Sequence, residues 1–269
     1  MKIKTQKQKE ELTQKVKDLV KPIRKIMPRY GTEKLYLDLK EDFKREQIKL
    51  GRDNFLKFCR ENHMLVQKTK KSFITTDSNH DYDKPKNLIK DLTPTHAEQV
   101  FVSDITYIKL ETGHAYLALV TDLYSKKIMG YNIDDNMKVS MVKQALSMAI
   151  KNRVHQTKEI IHHSDRGRQY CCPDYANFAK DNDFILSTTE QYDPYENAVA
   201  ERINGILKYE FGLRRTIPNL EIATKMVDQA VRLYNGMRRH RSLEMVTPDQ
   251  AHLLQKHKYA SYGKTKIAA

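Results

Sequence analysis

The chain has 269 residues and a formal net charge of +14, from 48 lysines and arginines against 34 aspartates and glutamates. No apolar run approaches the roughly 18 residues that a membrane-spanning helix needs, and at the start we expect no secretory signal. Three cysteines cannot build a disulfide framework, which excludes a disulfide-stapled secreted domain and favours a reducing cytosol. The basic charge makes nucleic acid the first partner to consider.

The positive charge is concentrated in the first third of the chain. Residues 1–90 hold 24 basic and 13 acidic side chains, whereas residues 91–269 hold 24 and 21. This asymmetry indicates a basic arm that binds phosphate groups and a nearly neutral body with another task. A merely solvated, solubilising tail is the alternative.

Three short helices are expected in the basic arm. Apolar residues at helical spacing predict a helix over residues 9–27, which Pro22 should kink or end. A second helix is expected after Gly31, and a third over residues 52–62. Such helices with tight turns suit a helix-turn-helix-like DNA-binding region over 1–66, although any small bundle shows the same pattern.

Residues 67–99 are polar and have the composition of a linker. In the body, residues 100–215, three segments rich in β-branched and aromatic residues come first, and helices and strands then alternate. This order predicts an α/β fold with a mixed five-stranded sheet and helices on its faces, followed by a helical and basic segment over 216–269. The predicted strands are 100–110, 114–123, 127–133, 159–163 and 184–187, and the predicted helices are 139–151, 173–181, 195–211 and 220–237.

Two aspartates occupy positions where a sheet presents side chains to a ligand. Asp104 shares a strand face with Val102 and Ile108, and a carboxylate among apolar neighbours is costly to bury unless it is paired or binds a cation. Asp165 follows an apolar strand, at the edge where the ligands of open α/β sheets gather. A solvent-exposed strand end and an ordinary turn residue are the respective alternatives.

A third carboxylate, Glu201, lies on a predicted helix, opposite its apolar stripe. The glycine inside this helix, Gly205, lowers helix stability by about 1 kcal/mol relative to alanine. Close approach of a DNA backbone would compensate for that loss. A solvated helix face is the alternative. The residues that share the face of Glu201 are Asn197, Asn204, Gly205 and Lys208.

The three carboxylates stand in the segments DITYI, HSDRGRQY and NAVAE, with 60 and 35 residues between them. In order and spacing these segments resemble the DD(35)E core of retroviral-type integrases and insertion-sequence transposases. They are most similar to the second-frame product of the IS3 family. The segments YNGMRRHRSLEMVTP and IRKIMPRYGTEKLYLDLK also resemble that family, so the resemblance covers most of the chain.

The resemblance implies an RNase H-like core with Asp104, Asp165 and Glu201 as the catalytic and metal-binding triad. Gathered carboxylates repel one another unless a cation neutralises them, and hard oxygen ligands favour Mg²⁺ or Mn²⁺. Two such ions per active site can activate the attacking oxygen and stabilise the leaving oxygen in a displacement at phosphorus. The implied activity is transposition, in which DNA strands at insertion-sequence ends are cleaved and joined.

Other residues give weaker signals. Asp122 ends a strand and is an alternative first aspartate, but it lacks the DITY context. His163 either orients a ligand, touches DNA or is an ordinary core histidine. The neighbouring pairs His162-His163 and Cys171-Cys172 suggest zinc, although their spacing matches no common zinc motif.

DNA contacts are expected outside the triad. The resemblance places Lys208 at a position that contacts transposon-end DNA, and the basic run at 238–241 suits phosphate binding, with a solvated helix end as the alternative. The expected DNA-binding residues are Lys208, Asn197, Arg202, Arg238, Arg239 and Arg241.

The expected partners are transposon terminal inverted repeats, target DNA and further copies of the chain, assembled as a homo-oligomer on DNA, with no membrane. The upstream-frame product, which frameshifting joins to this part in the family, is a further candidate partner. The expected location is the prokaryotic cytoplasm, at the nucleoid. An RNase H-like nuclease without strand joining and a catalytically inactive DNA-binding protein are the rival functions.

Overall fold

The computed structural model describes residues 6–66, 81–155, 159–190 and 197–256. They fall into two compact units, one on each side of the gap at 67–80. The domain limits that the sequence indicates at 66, 99 and 215 stay predictions. Among the described residues, no helix combines the length and the apolar character that crossing a bilayer requires.

The first unit consists of three helices, α1 (Gln6–Ile26), α2 (Thr32–Arg45) and α3 (Arg52–Glu61), which confirms the predicted N-terminal helical region. α1 continues through Pro22, so the helix does not end there. A proline near the C-terminus removes one hydrogen bond and leaves the last turn in place. The buried side chains of this unit include Val16, Val20, Tyr30, Leu35, Leu39, Phe43, Phe55 and Cys59.

The second unit is built on a five-stranded sheet. Its strands are β1 (Val100–Leu110), β2 (Gly113–Asp122), β3 (Ile128–Asp134), β4 (Ile160–Ser164) and β5 (Phe184–Thr188). The order across the sheet is β3-β2-β1-β4-β5. The first three strands form an antiparallel meander, and β4 and β5 run parallel to β1. The predicted mixed sheet is therefore confirmed.

One face of the sheet is covered by α4 (Val139–Lys151), α5 (Arg168–Cys171) and α6 (Pro173–Lys180). α5 was not predicted, because a four-residue helix is too short to show a period. α4 approaches β3 closely at Gly130, where a Cβ atom would lie 2.0 Å from the backbone oxygen of Ala145. Only glycine fits this position without a shift of the backbone.

The opposite face is covered by α7 (Ala198–Glu210), which packs on β1 and β2, and by α8 (Leu220–Gly236), which packs on β3 and α7. α9 (Pro248–Leu254) packs against α8. α9 was also not predicted, although the sequence TPDQ carries its signal: Thr247 and Gln250 form a capping box. The apolar stripe of α7 is buried as expected, through Val199, Ile203 and Ile206.

Gly130→Ala should destabilise the second unit by about 1–3 kcal/mol, because the new methyl group overlaps the backbone of α4. Urea unfolding of the full chain measures the change. Gly205→Ala is the matched control: a Cβ atom there meets nothing within 4 Å, so the helix should gain about 1 kcal/mol. Unchanged stability of the Gly130 variant would contradict the close approach.

Candidate active site

Asp104 and Asp165 lie side by side on neighbouring parallel strands. Ser103 and Ser164 are Cα partners in the ladder between β1 and β4, and each aspartate is the next residue along its chain. Neighbouring strands are about 4.8 Å apart, so the two carboxylates leave the sheet at the same level. Asp104 is half-buried within β1, and Asp165 follows the last residue of β4, as the sequence predicts.

Glu201 reaches the same region from the first turn of α7, where its side chain is exposed. Two amides hold this helix against β1. Asn197 donates from Nδ2 to the backbone oxygen of Ser103 at 3.0 Å, and Asn204 donates from Nδ2 to Oδ2 of Asp104 at 2.7 Å. Glu201 lies between these two contact points along the helix.

The three carboxylates interact electrostatically. Burial and the neighbouring Asp165 raise the pKa of Asp104, and Glu201 adds to the rise, whereas the hydrogen bond from Asn204 opposes it. Burial and Asp165 also raise the pKa of Glu201. Negative charge is therefore costly here, and a cation would relieve that cost.

The donor set fits a divalent cation by its chemistry, because carboxylate oxygens are the ligands that Mg²⁺ and Mn²⁺ prefer. Buried amide oxygens, Oδ1 of Asn197 and Oδ1 of Asn204, also lack a hydrogen-bond partner in the part of the chain that the structure describes. In that same part, no three histidine, cysteine, aspartate or glutamate side chains are gathered as a metal cluster. The fold brings the three acids into one region, over β1 and the end of β4, without closing them around a common point.

The turn after β4 contains a residue that the sequence did not reveal as part of the site. Asp165 accepts a hydrogen bond at Oδ1 from the backbone of Gly167, at 3.0 Å. Between them, Arg166 donates from Nε to the backbone oxygen of Thr189 at 2.5 Å and from Nη2 to that of Glu190. Arg166 thus ties the exit of β4 to the exit of β5, and no local pattern predicts partners 23 and 24 residues away.

His162 and His163 lie in the core. Nε2 of His162 is 2.8 Å from Oγ of Ser103 and 3.2 Å from the hydroxyl of Tyr175, and burial lowers the pKa of His162 to about 3. Nδ1 of His163 is 2.8 Å from Oγ of Ser187. No zinc cluster joins them to the adjacent cysteines within the described ranges. The core-histidine alternative therefore describes both residues.

Asp122, the alternative to Asp104, has a structural role. It pairs with Phe101 beside the start of β1, away from Asp165. Its carboxylate accepts hydrogen bonds from the backbone of Glu98 at 2.8 Å, and from the backbone and Oγ of Ser125 at 2.7 and 2.5 Å. These donors satisfy the charge inside the protein.

His252 of α9 completes this buried network. Its Nε2 lies 3.2 Å from Oε1 of Glu98, and its Nδ1 lies 3.0 Å from Oγ of Ser125 and 3.6 Å from Oδ2 of Asp122. Burial alone would lower the pKa of His252, but the hydrogen bonds with Asp122 and Glu98 outweigh it and raise the pKa. The network anchors α9 to the start of β1 and the end of β2.

Four of the predicted DNA-binding residues lie where a nucleic acid could reach them. Lys208 is half-buried near Asp104; burial lowers its pKa, and the carboxylate opposes that shift. Arg202 and Arg241 are exposed. Arg239 is half-buried and donates from Nη1 to a backbone oxygen at 3.0 Å.

The other two predicted DNA-binding residues are used inside the protein. Arg238 is buried and forms a bidentate ion pair with Glu210, with N···O distances of 2.6 and 2.7 Å, and its guanidinium lies over the ring of Tyr234. Asn197 is buried and holds α7 against β1. We therefore leave Arg238 and Asn197 out of the proposed DNA surface.

Comparison with known proteins gives concordant matches. The integrase core domain family matches residues 94–194 and again residues 183–248. The 31 kDa protein of insertion element IS600 from Shigella sonnei is 32% identical over 221 residues, which cover 81% of this chain and 79% of that protein. Transposase InsF of insertion sequence IS3A from Escherichia coli is 31% identical over 64% of this chain and 60% of its own length.

Among solved structures, the simian T-cell lymphotropic virus intasome, in complex with a PP2A regulatory subunit, contains a similar chain. The TM-score is 0.52 at 17% identity, with 89% of this chain and 76% of that chain covered. At this identity the match shows the fold. The second unit therefore has the RNase H-like fold of retroviral integrase cores.

The network around His252 should make stability depend on pH. Because the pKa of His252 is raised above its ordinary 6.5, its stabilising effect is complete below that pH and is lost as the pH rises through the folded value. The difference in free energy of unfolding between the wild type and His252→Gln should therefore shrink as the pH rises above 6.5. Urea unfolding at several pH values measures it.

Taking the difference removes the contribution of Lys126, whose pKa burial lowers to about 7, because both proteins carry it. His114→Gln, at an exposed position, is the control and should leave the profile unchanged. A difference that stays constant across this pH range would show that His252 does not bind its proton more tightly in the folded state.

Proposed function

Since this chain belongs to the IS3 family of insertion-sequence transposases, we propose that Asp104, Asp165 and Glu201 are its catalytic residues. The chain is a DNA transposase, a polynucleotidyl transferase of a family that depends on divalent metal ions. The register of the sheet is the observation that carries the residue assignment. It sets the two aspartates side by side, under the helix that bears the glutamate.

The proposed cofactors are two Mg²⁺ or Mn²⁺ ions per active site, held by the three carboxylates. When bound, such ions activate the attacking oxygen and stabilise the leaving oxygen at phosphorus. Asp104 and Asp165 supply their oxygens from fixed strand positions, and Glu201 supplies its own from the helix above. No side chain needs to act as a covalent nucleophile, because water attacks in cleavage and a DNA 3′-hydroxyl attacks in joining.

The surface of α7 beside Glu201 suits a DNA backbone. A Cβ atom at Gly205 would meet nothing within 4 Å, so neither packing nor an unusual backbone angle calls for glycine there. The bare helix surface therefore leaves room for a phosphate chain to come close to Glu201. Lys208 follows Gly205 by three residues, about one helical turn, and supplies a positive charge on the same face.

Further contacts come from the first unit. A shallow groove between α2 and the loop that follows it is lined by the exposed side chains of Lys40, Lys44 and Lys49. Three ammonium groups along one groove suit successive phosphates of a duplex. We propose that the helical unit holds DNA in this way, and that Arg202, Arg239 and Arg241 add contacts on the catalytic unit.

The proposed partners are the terminal inverted repeats of the element and its target DNA. We propose that the chain acts on this DNA as a homo-oligomer. A fusion with the upstream-frame product is the form in which it would carry further DNA-binding elements. The site of action is the nucleoid, in the cytoplasm of a prokaryotic cell.

Asp104→Asn, Asp165→Asn and Glu201→Gln should each abolish metal-dependent cleavage and joining of terminal DNA. Each change removes a charged ligand at nearly constant size, so DNA affinity should remain. Gel assays with Mg²⁺, and with EDTA in its place, measure the products, and filter binding measures affinity. Asp174→Asn, at an exposed position on α6, is the control that should stay active.

Full activity in any of the three variants would contradict the assignment. Cleavage without joined products by the wild type would favour the nuclease, and DNA binding without either reaction would favour an inactive DNA-binding protein.

Lys208→Ala should weaken binding to terminal DNA and reduce the slope of log affinity against log salt by about 1, because one phosphate contact is lost. Lys225→Ala is the matched control, since this exposed lysine is paired with Glu221 on α8. If the Lys208 variant keeps wild-type affinity at every salt concentration, this lysine does not contact a phosphate.

A further inference from the structure

Asn204 makes the one direct side-chain hydrogen bond that the structure describes between α7 and the first aspartate. Its Nδ2 lies 2.7 Å from Oδ2 of Asp104, and its side chain is buried. Asn197, seven residues earlier, makes the companion contact to the backbone oxygen of Ser103. The helix is thus fixed to two consecutive residues of β1, with Glu201 between its two anchors.

The chemistry of the contact identifies the donor. An ionised carboxylate can only accept hydrogen bonds, so the amide must present Nδ2 to Asp104. An amide orients the carboxylate without adding a positive charge. A basic side chain would add that charge, as Arg238 does in its pair with Glu210. At Asp104 the hydrogen-bonding side chain is a neutral amide instead.

A comparison with Asn235 separates this arrangement from ordinary structural use of an amide. Asn235 is a buried asparagine on α8, and both of its amide atoms bond to the backbone of Ile128, each at 2.9 Å. The Oδ1 of Asn204 is buried without a partner among the described residues. An unsatisfied buried carbonyl oxygen destabilises a fold, so stability alone does not account for Asn204.

We propose that Asn204 is a positioning residue of the active site, which orients the carboxylate of Asp104 for a divalent cation. The proposal rests on the assignment of Asp104 as a metal ligand. Outer partners of metal ligands fix ligand orientation, and their loss typically weakens metal binding about 10–100-fold. Asn204 acts through Asp104 and touches neither DNA nor the reacting phosphorus in this scheme.

The test compares Asn204→Ala with Asn235→Ala in the full chain bound to a terminal DNA duplex. Electron paramagnetic resonance of free Mn²⁺ measures binding of the ion, and the Mg²⁺ dependence of cleavage gives a second affinity. Asn204→Ala should weaken both about 10–100-fold, with DNA affinity in EDTA unchanged. Asn235→Ala should lower the unfolding temperature and leave both metal affinities at the wild-type value.

A second variant guards against misfolding. Asn204→Gln keeps an amide donor, so it should lose less metal affinity than the alanine variant. Wild-type metal affinity in Asn204→Ala overturns the proposal, and so does an equal loss in Asn235→Ala or in Asn204→Gln. Asp104→Asn separates the ligand assignment of Asp104 from the positioning role of Asn204. If Asp104→Asn keeps its Mn²⁺ affinity, the ligand assignment fails. If Asp104→Asn loses that affinity while Asn204→Ala keeps it, only the positioning role fails.

Discussion

Repulsion among three carboxylates is the constraint on which the catalytic unit depends. Elsewhere in the described structure, the buried acids are satisfied by the protein itself: Asp122 accepts from backbone and hydroxyl donors, and Glu98 accepts from backbone amides and His252. The half-buried Glu210 is paired with Arg238. At Asp104 the neighbours are an amide, two further acids and the half-buried Lys208. The protein leaves this charge in place, and a bound cation is the partner that would balance it.

Holding like charges together requires a rigid frame, and the frame comes from the sheet. The parallel ladder between β1 and β4 fixes the level of the two aspartates, and Arg166 joins the exits of β4 and β5 beside them. Behind the sheet, α4 packs so closely on β3 that only Gly130 fits. The backbone segments that carry the two aspartates therefore cannot separate without breaking the hydrogen bonds of this ladder.

The sequence predicts the five strands and most of the helices and nominates a candidate triad, but it does not reveal the contacts around that triad. Periodicity located the strands, and the ordered segments around Asp104, Asp165 and Glu201 indicated which acids belong together. Asn204 was recognised only as a neighbour of Glu201 on the helix face, because its bond to Asp104 spans 100 residues. The partners of Arg166 are equally remote in sequence.

Arg238 illustrates the same limit of sequence-based prediction, because it was expected to bind DNA but is buried in the fold. Its basic neighbours made it resemble a phosphate ligand, yet Glu210, 28 residues earlier, takes up its guanidinium inside the fold. The sequence gives the number of charged side chains in a segment, but the three-dimensional packing determines which of them reach solvent. The sequence therefore overestimates the DNA surface wherever the fold brings an acid within reach of a basic run.

The strongest indication of function on α7 is that several of its residues are unfavourable for the stability of the fold. Gly205 lowers the stability of the helix by about 1 kcal/mol relative to alanine, although no neighbouring atom excludes a side chain there. Asn204 buries an amide oxygen that has no hydrogen-bond partner among the described residues. Glu201 adds a charge that its neighbours repel. Each feature alone has an ordinary structural explanation. Their coincidence around Asp104 is expected if binding of cation and DNA, rather than folding, selected this face.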